Sequence, residues 1–211
     1  MPLLMNQSAI PVPGVQNIPT QNTHGPFLPP IEKPRGLMIR LVYYLTRRKF
    51  GKVPSPIGIH SARLPPAFGM FYGKVAQLDD KLLLPRETIF LIREQVARLN
   101  ICLFCVDIGR FFATESSTNT DRLIDKLDAL DRYRDSPLFS EAERAALDYV
   151  TELTRDKKVQ PSTFAGLPRF YSERAICEIV WLVASEHLYN LTNLGLNIHS
   201  DMLCDINRKK K

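Results

Sequence analysis

"LPRETIFLIREQVARLNICLFCVDIGR", residues 84–110, decides the fold class. Pro85 suits the first turn of a helix, where its missing N–H would have no partner anyway, and Glu87 favours the positive end of that helix. Ile89, Ile92, Val96 and Leu99 recur at helical spacing and supply a buried stripe. The stretch runs into Cys102 and Cys105, spaced C-x-x-C, in a chain with only four cysteines.

Outward from this segment the helical pattern continues. LMIRLVYYLTRRKFG (37–51) carries Leu37, Ile39, Leu41, Val42 and Leu45 on a broad apolar face and stops on a basic turn followed by Gly51. KVPSPIGIHSARLPP (52–66) is too proline-rich for a helix and reads as an extended connection, after which 65–82 reads as helical. Residues 121–133 make a short charged helix, and SEAERAALDYVTELT (140–154) opens with Ser140 and Glu143 at capping-box spacing. PSTFAGLPRFYS (161–172) is another short helical piece. ERAICEIVWLVASEHLYNL (173–191) is apolar nearly all round, as in a helix buried centrally or between subunits. No alternating strand pattern occurs, so the fold class is all-α. Residues 1–34, rich in Pro, Asn, Gln and Thr, form an arm that is disordered or draped over a neighbour. The helical domain spans 35–205 and a basic tail 206–211.

Composition narrows the function class. The 211 residues are 45% hydrophobic and 24% charged, without an apolar run of membrane-spanning length or a secretory leader pattern. A cytoplasmic location is expected, where thiols stay reduced and cysteines serve catalysis, metal binding or the core. The net charge of +6 sits largely in Arg47–Lys52 and the tail, without the groove-reading element or interleaved aromatics of a nucleic-acid binder. Neither nucleic acid nor a membrane is an expected partner.

Three readings of the cysteine pair stand side by side. In one continuous helix over 94–109, Glu94, Arg98, Cys102, Cys105 and Gly109 share a face about 80° wide. Arg98 then favours the Cys102 thiolate, and Glu94 orients Arg98. If instead the helix breaks at Asn100, that residue caps a new helix and Cys102 sits in its first turn, again activated. The second reading is a pair of core thiols, since free cysteine is among the most buried residue types. The third, zinc, lacks the remaining ligands: no second C-x-x-C or H-x-H pair exists, and His199 and Cys204 are remote. No metal or cofactor is therefore expected.

Residues 84–110 resemble the active-site segment of the carboxymuconolactone decarboxylase and alkylhydroperoxidase AhpD-like family, in which a helix runs into LN-x-C-x-[YF]-C-V-D. The likeness continues through FSEAERAALDYVTELTRD (139–156) and FYSERAICEIVWLVASEHLYNLTNLGLNIHSDMLC (170–204), and covers roughly 35–205. It implies an AhpD-like helical fold, a homo-oligomer, and a thiol-dependent peroxidase or disulfide oxidoreductase. Such an enzyme takes a small peroxide or hydrophobic ligand and draws electrons from an external thiol donor protein. By similarity Cys105 attacks the peroxide and Cys102 resolves the sulfenic acid, whereas the local argument favours Cys102 as the activated thiol.

The family's E-x11-C-x2-C-x3-H relay falls here on Phe90 and Gly109, and Phe104 replaces a further histidine between the cysteines. General acid–base help is typically worth about 10²–10⁴-fold, so other groups must supply it or the site is slow. Glu94 and Arg98 are candidates, as is Glu186–His187 in the final helix, where Glu178, Ser185, Tyr189 and Asn190 also interrupt apolar sequence. His60, in the proline-rich stretch, is a weaker one. Cys177 and Cys204 read as core or near-surface thiols. The alternative to an enzyme is a degenerate family member that serves as a ligand-binding or assembly scaffold.

Overall fold

A computed structural model describes residues 25–116 and 120–204, and among these every regular element is helical. The N-terminal arm expected over 1–34 lies outside the described residues as far as residue 24, and the basic tail at 206–211 lies outside them entirely. Residues 27 and 31 of the arm hydrogen-bond to the helical part of the same chain. The Phe27 amide donates to the Leu196 carbonyl at 3.1 Å and the Ile31 amide to Gly58 at 2.9 Å.

Helix α1 (Leu37–Phe50) ends on Gly51, whose φ of 74° is the left-handed conformation that glycine adopts without penalty. Its inward residues are Ile39, Tyr43 and Phe50, while Leu37, Leu41, Tyr44 and Leu45 face outward. The apolar stripe read from the sequence is thus mostly exposed, because the aromatic side chains on the other flank fill the core contact. The stretch expected to be extended, 52–66, contains a π-helical turn, Ile57–Ser61, while 65–82, expected to be helical, forms a second such turn, Pro65–Phe71, running into α2 (Tyr72–Asp79). Proline gives up a helical hydrogen bond but suits a first turn, and Pro56 and Pro65 stand at the starts of these two turns.

The centre of the fold is α3 (Arg86–Leu99), which packs on α4 (Leu103–Ser116), α6 (Glu141–Asp156) and α8 (Glu173–Leu194). Its periodicity explains this. Ile92 and Val96 turn toward Val150, Ile179 and Leu182, and Leu91 turns toward α5 (Thr120–Asp128) through Leu123 and Leu127. Each such fully buried aliphatic contributes about 1.5–3 kcal/mol. The capping box at α6 forms as its sequence predicts, with Ser140 Oγ accepting from the Glu143 amide and Glu143 accepting from the Ser140 amide. A short α7 (Pro161–Gly166) leads to α8, which Ser172 caps. Among the described residues no helix is long and apolar enough to cross a membrane.

Candidate active site at the cysteine pair

The helix breaks at Asn100, so the continuous arrangement over 94–109 does not occur. Helix α3 closes in a Schellman turn: the Ile101 amide donates to the Arg98 carbonyl (3.0 Å) and the Cys102 amide to Ala97 (2.9 Å). The left-handed position, usually glycine, is held by Ile101 at φ 60°. For a β-branched residue this conformation costs about 1–2 kcal/mol. Cys102 then opens α4, its carbonyl accepting from the Val106 amide at 3.1 Å, and Cys105 lies in the first turn. Both sulfurs thus stand at the positive end of α4, where a thiolate is favoured. Asn100 does not cap α4. Its side chain donates to Asn190 (2.8 Å) and to His187 Nδ1 (3.0 Å).

Cys102 and Cys105 are joined as a disulfide, with their Cα atoms 5.3 Å apart. They sit in an apolar cluster with Ala97, Val106 and Leu194. Both residues are buried, Cys102 at 1% exposed and Cys105 at 8%. The nearest polar group comes from α8. Asn193 Nδ2 lies 3.4 Å from Cys105 Sγ and 4.0 Å from Cys102 Sγ. Its Oδ1 faces His60 Nε2 at 3.4 Å, and Ser61 Oγ lies 3.4 Å from His60 Nδ1. His60 is buried against Phe68, with ring centroids 4.4 Å apart. Burial holds its pKa below the ordinary histidine value, and the hydrogen bond with Asn193 only partly offsets this.

The other candidates form two separate networks. Glu94 accepts from Arg98 Nε (2.9 Å) and from Arg110 Nη2 (2.8 Å); Arg98 also reaches the Leu127 carbonyl and Arg110 reaches Asp128. This buried ion cluster ties α3, α4 and α5 together behind the cysteines. Glu186 and His187, adjacent in sequence, diverge around α8. Glu186 accepts from Arg93 (2.8 Å) and Asn190 (2.7 Å), and Arg93 also pairs with Asp79. Burial raises the Glu186 pKa, and Arg93 opposes the shift. His187 has its pKa lowered, chiefly by burial. Because Asn100 donates to Nδ1, the neutral ring carries its proton on Nε2.

Glu178 accepts from the Leu83 and Leu84 amides at 2.8 and 3.0 Å, and so anchors the α2–α3 loop. Cys177 is exposed and Cys204 half-buried. At the family's relay positions, Phe90 packs on the cluster around Leu91 and Leu123, Phe104 packs with Ile59 and Phe111, and a Cβ at Gly109 would meet nothing within 4 Å.

Asn193 was not singled out from sequence, since one amide in a helix read as wholly buried carries no signal of its own. It becomes visible only when α8 is laid across α4. One further anchor is Asp107, two residues past Cys105. It accepts from Ser200 Oγ and from the amides of Asp201, Leu203 and Cys204, at 2.9–3.0 Å, fixing the C-terminal segment on α4. Among the described residues no cluster of three or more His, Cys, Asp or Glu could hold a metal ion.

No family model matches the chain. It is 31% identical over 190 residues to the uncharacterized protein YnjA of Escherichia coli strain K12, covering 87% of this chain and 98% of that protein. Among solved structures, the apo debrominase Bmp8 superposes with a TM-score of 0.70 at 20% identity, covering 90% of this chain and 99% of Bmp8. An uncharacterized peroxidase-related protein from Silicibacter sp. TM1040 superposes with a TM-score of 0.64 at 18% identity, over 80% of this chain and 87% of that one. At these identities the two superpositions establish a shared fold, the AhpD-like helical fold of the peroxidase-related proteins.

Proposed function

The chain belongs to the family of YnjA, and from that premise we propose that it is a thiol-dependent peroxidase or disulfide oxidoreductase working through Cys102 and Cys105. The observation that carries this reading is the pair itself, bonded across the start of α4 and beside a polar side chain. In the reduced protein a thiolate of the pair attacks a hydroperoxide. An S–O bond forms, the O–O bond breaks, and the leaving alkoxide takes a proton from solvent. The partner thiol displaces hydroxide from the sulfenic acid, forming the disulfide and releasing water with the thiol proton. An external dithiol then supplies two electrons and two protons and becomes oxidised itself.

The ion cluster of Glu94, Arg98 and Arg110 holds α4 in place for this chemistry. His187 and Glu186 act through Asn100 and Asn190 on the turn before Cys102. The outward Leu37, Leu41 and Leu45 support assembly as a homo-oligomer.

The test is to reduce the protein, remove the reductant and add cumene hydroperoxide. Free thiols should fall within minutes, and peptide mapping should recover the 102–105 disulfide. A decay no faster than that of a small free thiol under the same conditions would overturn the enzymatic reading in favour of a scaffold.

A further inference from the structure

Resting on the thiol–disulfide reading above, we propose that Asn193, oriented by His60, holds Cys105 as the reactive thiolate of the pair. Asn193 touches the reacting sulfur and is thus a catalytic residue; His60 acts through it and is a positioning residue. Together they stand in for the relay positions that Phe90 and Gly109 leave without an ionisable group.

A carboxamide can face a sulfur with either end. With Nδ2 inward it donates and stabilises the thiolate; with Oδ1 inward it accepts and stabilises the thiol. The far end of the amide decides which. Oδ1 faces His60 Nε2 at 3.4 Å, an arrangement that is favourable only if Nε2 carries a proton. Ser61 supplies a donor that permits this. With the Ser61 hydroxyl donating to Nδ1, the neutral ring carries its proton on Nε2. When His60 is charged, Nδ1–H donates to Ser61 Oγ, which then donates to the Phe68 carbonyl 3.2 Å away. In both of these arrangements Nε2 bears a proton and the Asn193 amide turns Nδ2 toward the sulfurs.

The two cysteines are unequal in this geometry. Cys105 Sγ is the nearer to Nδ2, at 3.4 against 4.0 Å, and Cys105 is the less deeply buried residue. The Cys105 thiolate is therefore the better stabilised of the two, and Cys102, 1% exposed, is left as the thiol that closes the disulfide.

The experiment uses the full chain, reduced, with the rate of iodoacetamide alkylation of the Cys105 and Cys102 peptides followed against pH by mass spectrometry. A hydrogen bond to a charged group implies that Asn193→Ala raises the Cys105 thiol pKa by about 1–2 units. Asn193→Asp, close to isosteric and therefore the variant less prone to misfold, should raise it as well, because a carboxylate cannot donate. His60→Leu should shift it in the same direction. His60→Gln, which retains an N–H for Oδ1, should show less than half of the His60→Leu shift.

Shifts within about 0.3 unit for both Asn193 variants would overturn the proposal, as would a Cys102 thiol more acidic than Cys105. Equal shifts in His60→Gln and His60→Leu would remove His60 from it. Failure of the redox reading is seen separately, as a wild-type protein that keeps a Cys105 thiol sensitive to Asn193 yet forms no disulfide with peroxide.

Discussion

Replacing Glu94 with alanine probes the ion cluster that positions the cysteine helix. The Glu94 carboxylate is 4% exposed and receives hydrogen bonds from two guanidinium groups, Arg98 and Arg110, which are 7% and 10% exposed. Breaking a buried ion pair by deleting one partner costs about 3–5 kcal/mol, because a charge is left buried without compensation. Here both cations keep a second acceptor, Leu127 O at 2.6 Å for Arg98 and Asp128 at 2.7 Å for Arg110. The lower end applies, about 3 kcal/mol, and the melting temperature should fall by about 6–12 °C. Glu94→Gln, which keeps an acceptor and loses the charge, should lie between wild type and Glu94→Ala. Urea unfolding followed by circular dichroism, at one fixed protein concentration, measures both. A loss below about 1 kcal/mol for Glu94→Ala, the value of an exposed pair, would refute the assignment of this cluster as the tie between α3, α4 and α5.

Gly109 lies on α4 one turn beyond Cys105 with open space at its Cβ, so Gly109→His should fold and should speed peroxide-driven thiol loss by about tenfold or more. Stopped-flow consumption of peroxide reads this out, and an unchanged rate in a folded variant would show that proton delivery is not what limits the site. Stability should also fall with acid. Burial depresses the His60 and His187 pKa values, so the stability linked to them is present above the unfolded histidine value of about 6.5 and is lost as pH falls below it. For the buried His60 the slope is at most about 1.4 kcal/mol per pH unit. Urea midpoints between pH 7.5 and pH 5 should decline, less steeply in His60→Gln; a flat profile in the wild type would contradict the burial argument.

The sequence made the long helices legible because their signals are local. Ile92 and Val96 on one stripe, Ser140 and Glu143 at capping-box spacing, and the apolar length of α8 each require only a window of neighbours. The break before the cysteines was half legible. Asn100 marked the place, but the left-handed residue is Ile101, where a glycine would have announced the turn. His60 was underrated because prolines on both sides read as extended chain, whereas they open π-helical turns that bury the ring. The pairing of Asn193 with Cys105 spans 88 residues of sequence and leaves no periodic trace. Glu186 and His187 read as one acid–base pair along the chain, yet the helical rotation between neighbours sends one to Arg93 and the other to Asn100.

The docking of the C-terminal segment on Asp107 sets an order of events at the ribosome. Cys204, whose amide Asp107 accepts, is translated 97 residues after it. At roughly 5–20 residues per second, about 5–20 s pass between synthesis of α4 and arrival of the segment that completes its surroundings. During that interval the face of α4 that carries Phe104, Asp107 and Phe111 stands without this cover. Helix α4 therefore completes its packing only after α8 and the segment beyond it have been made.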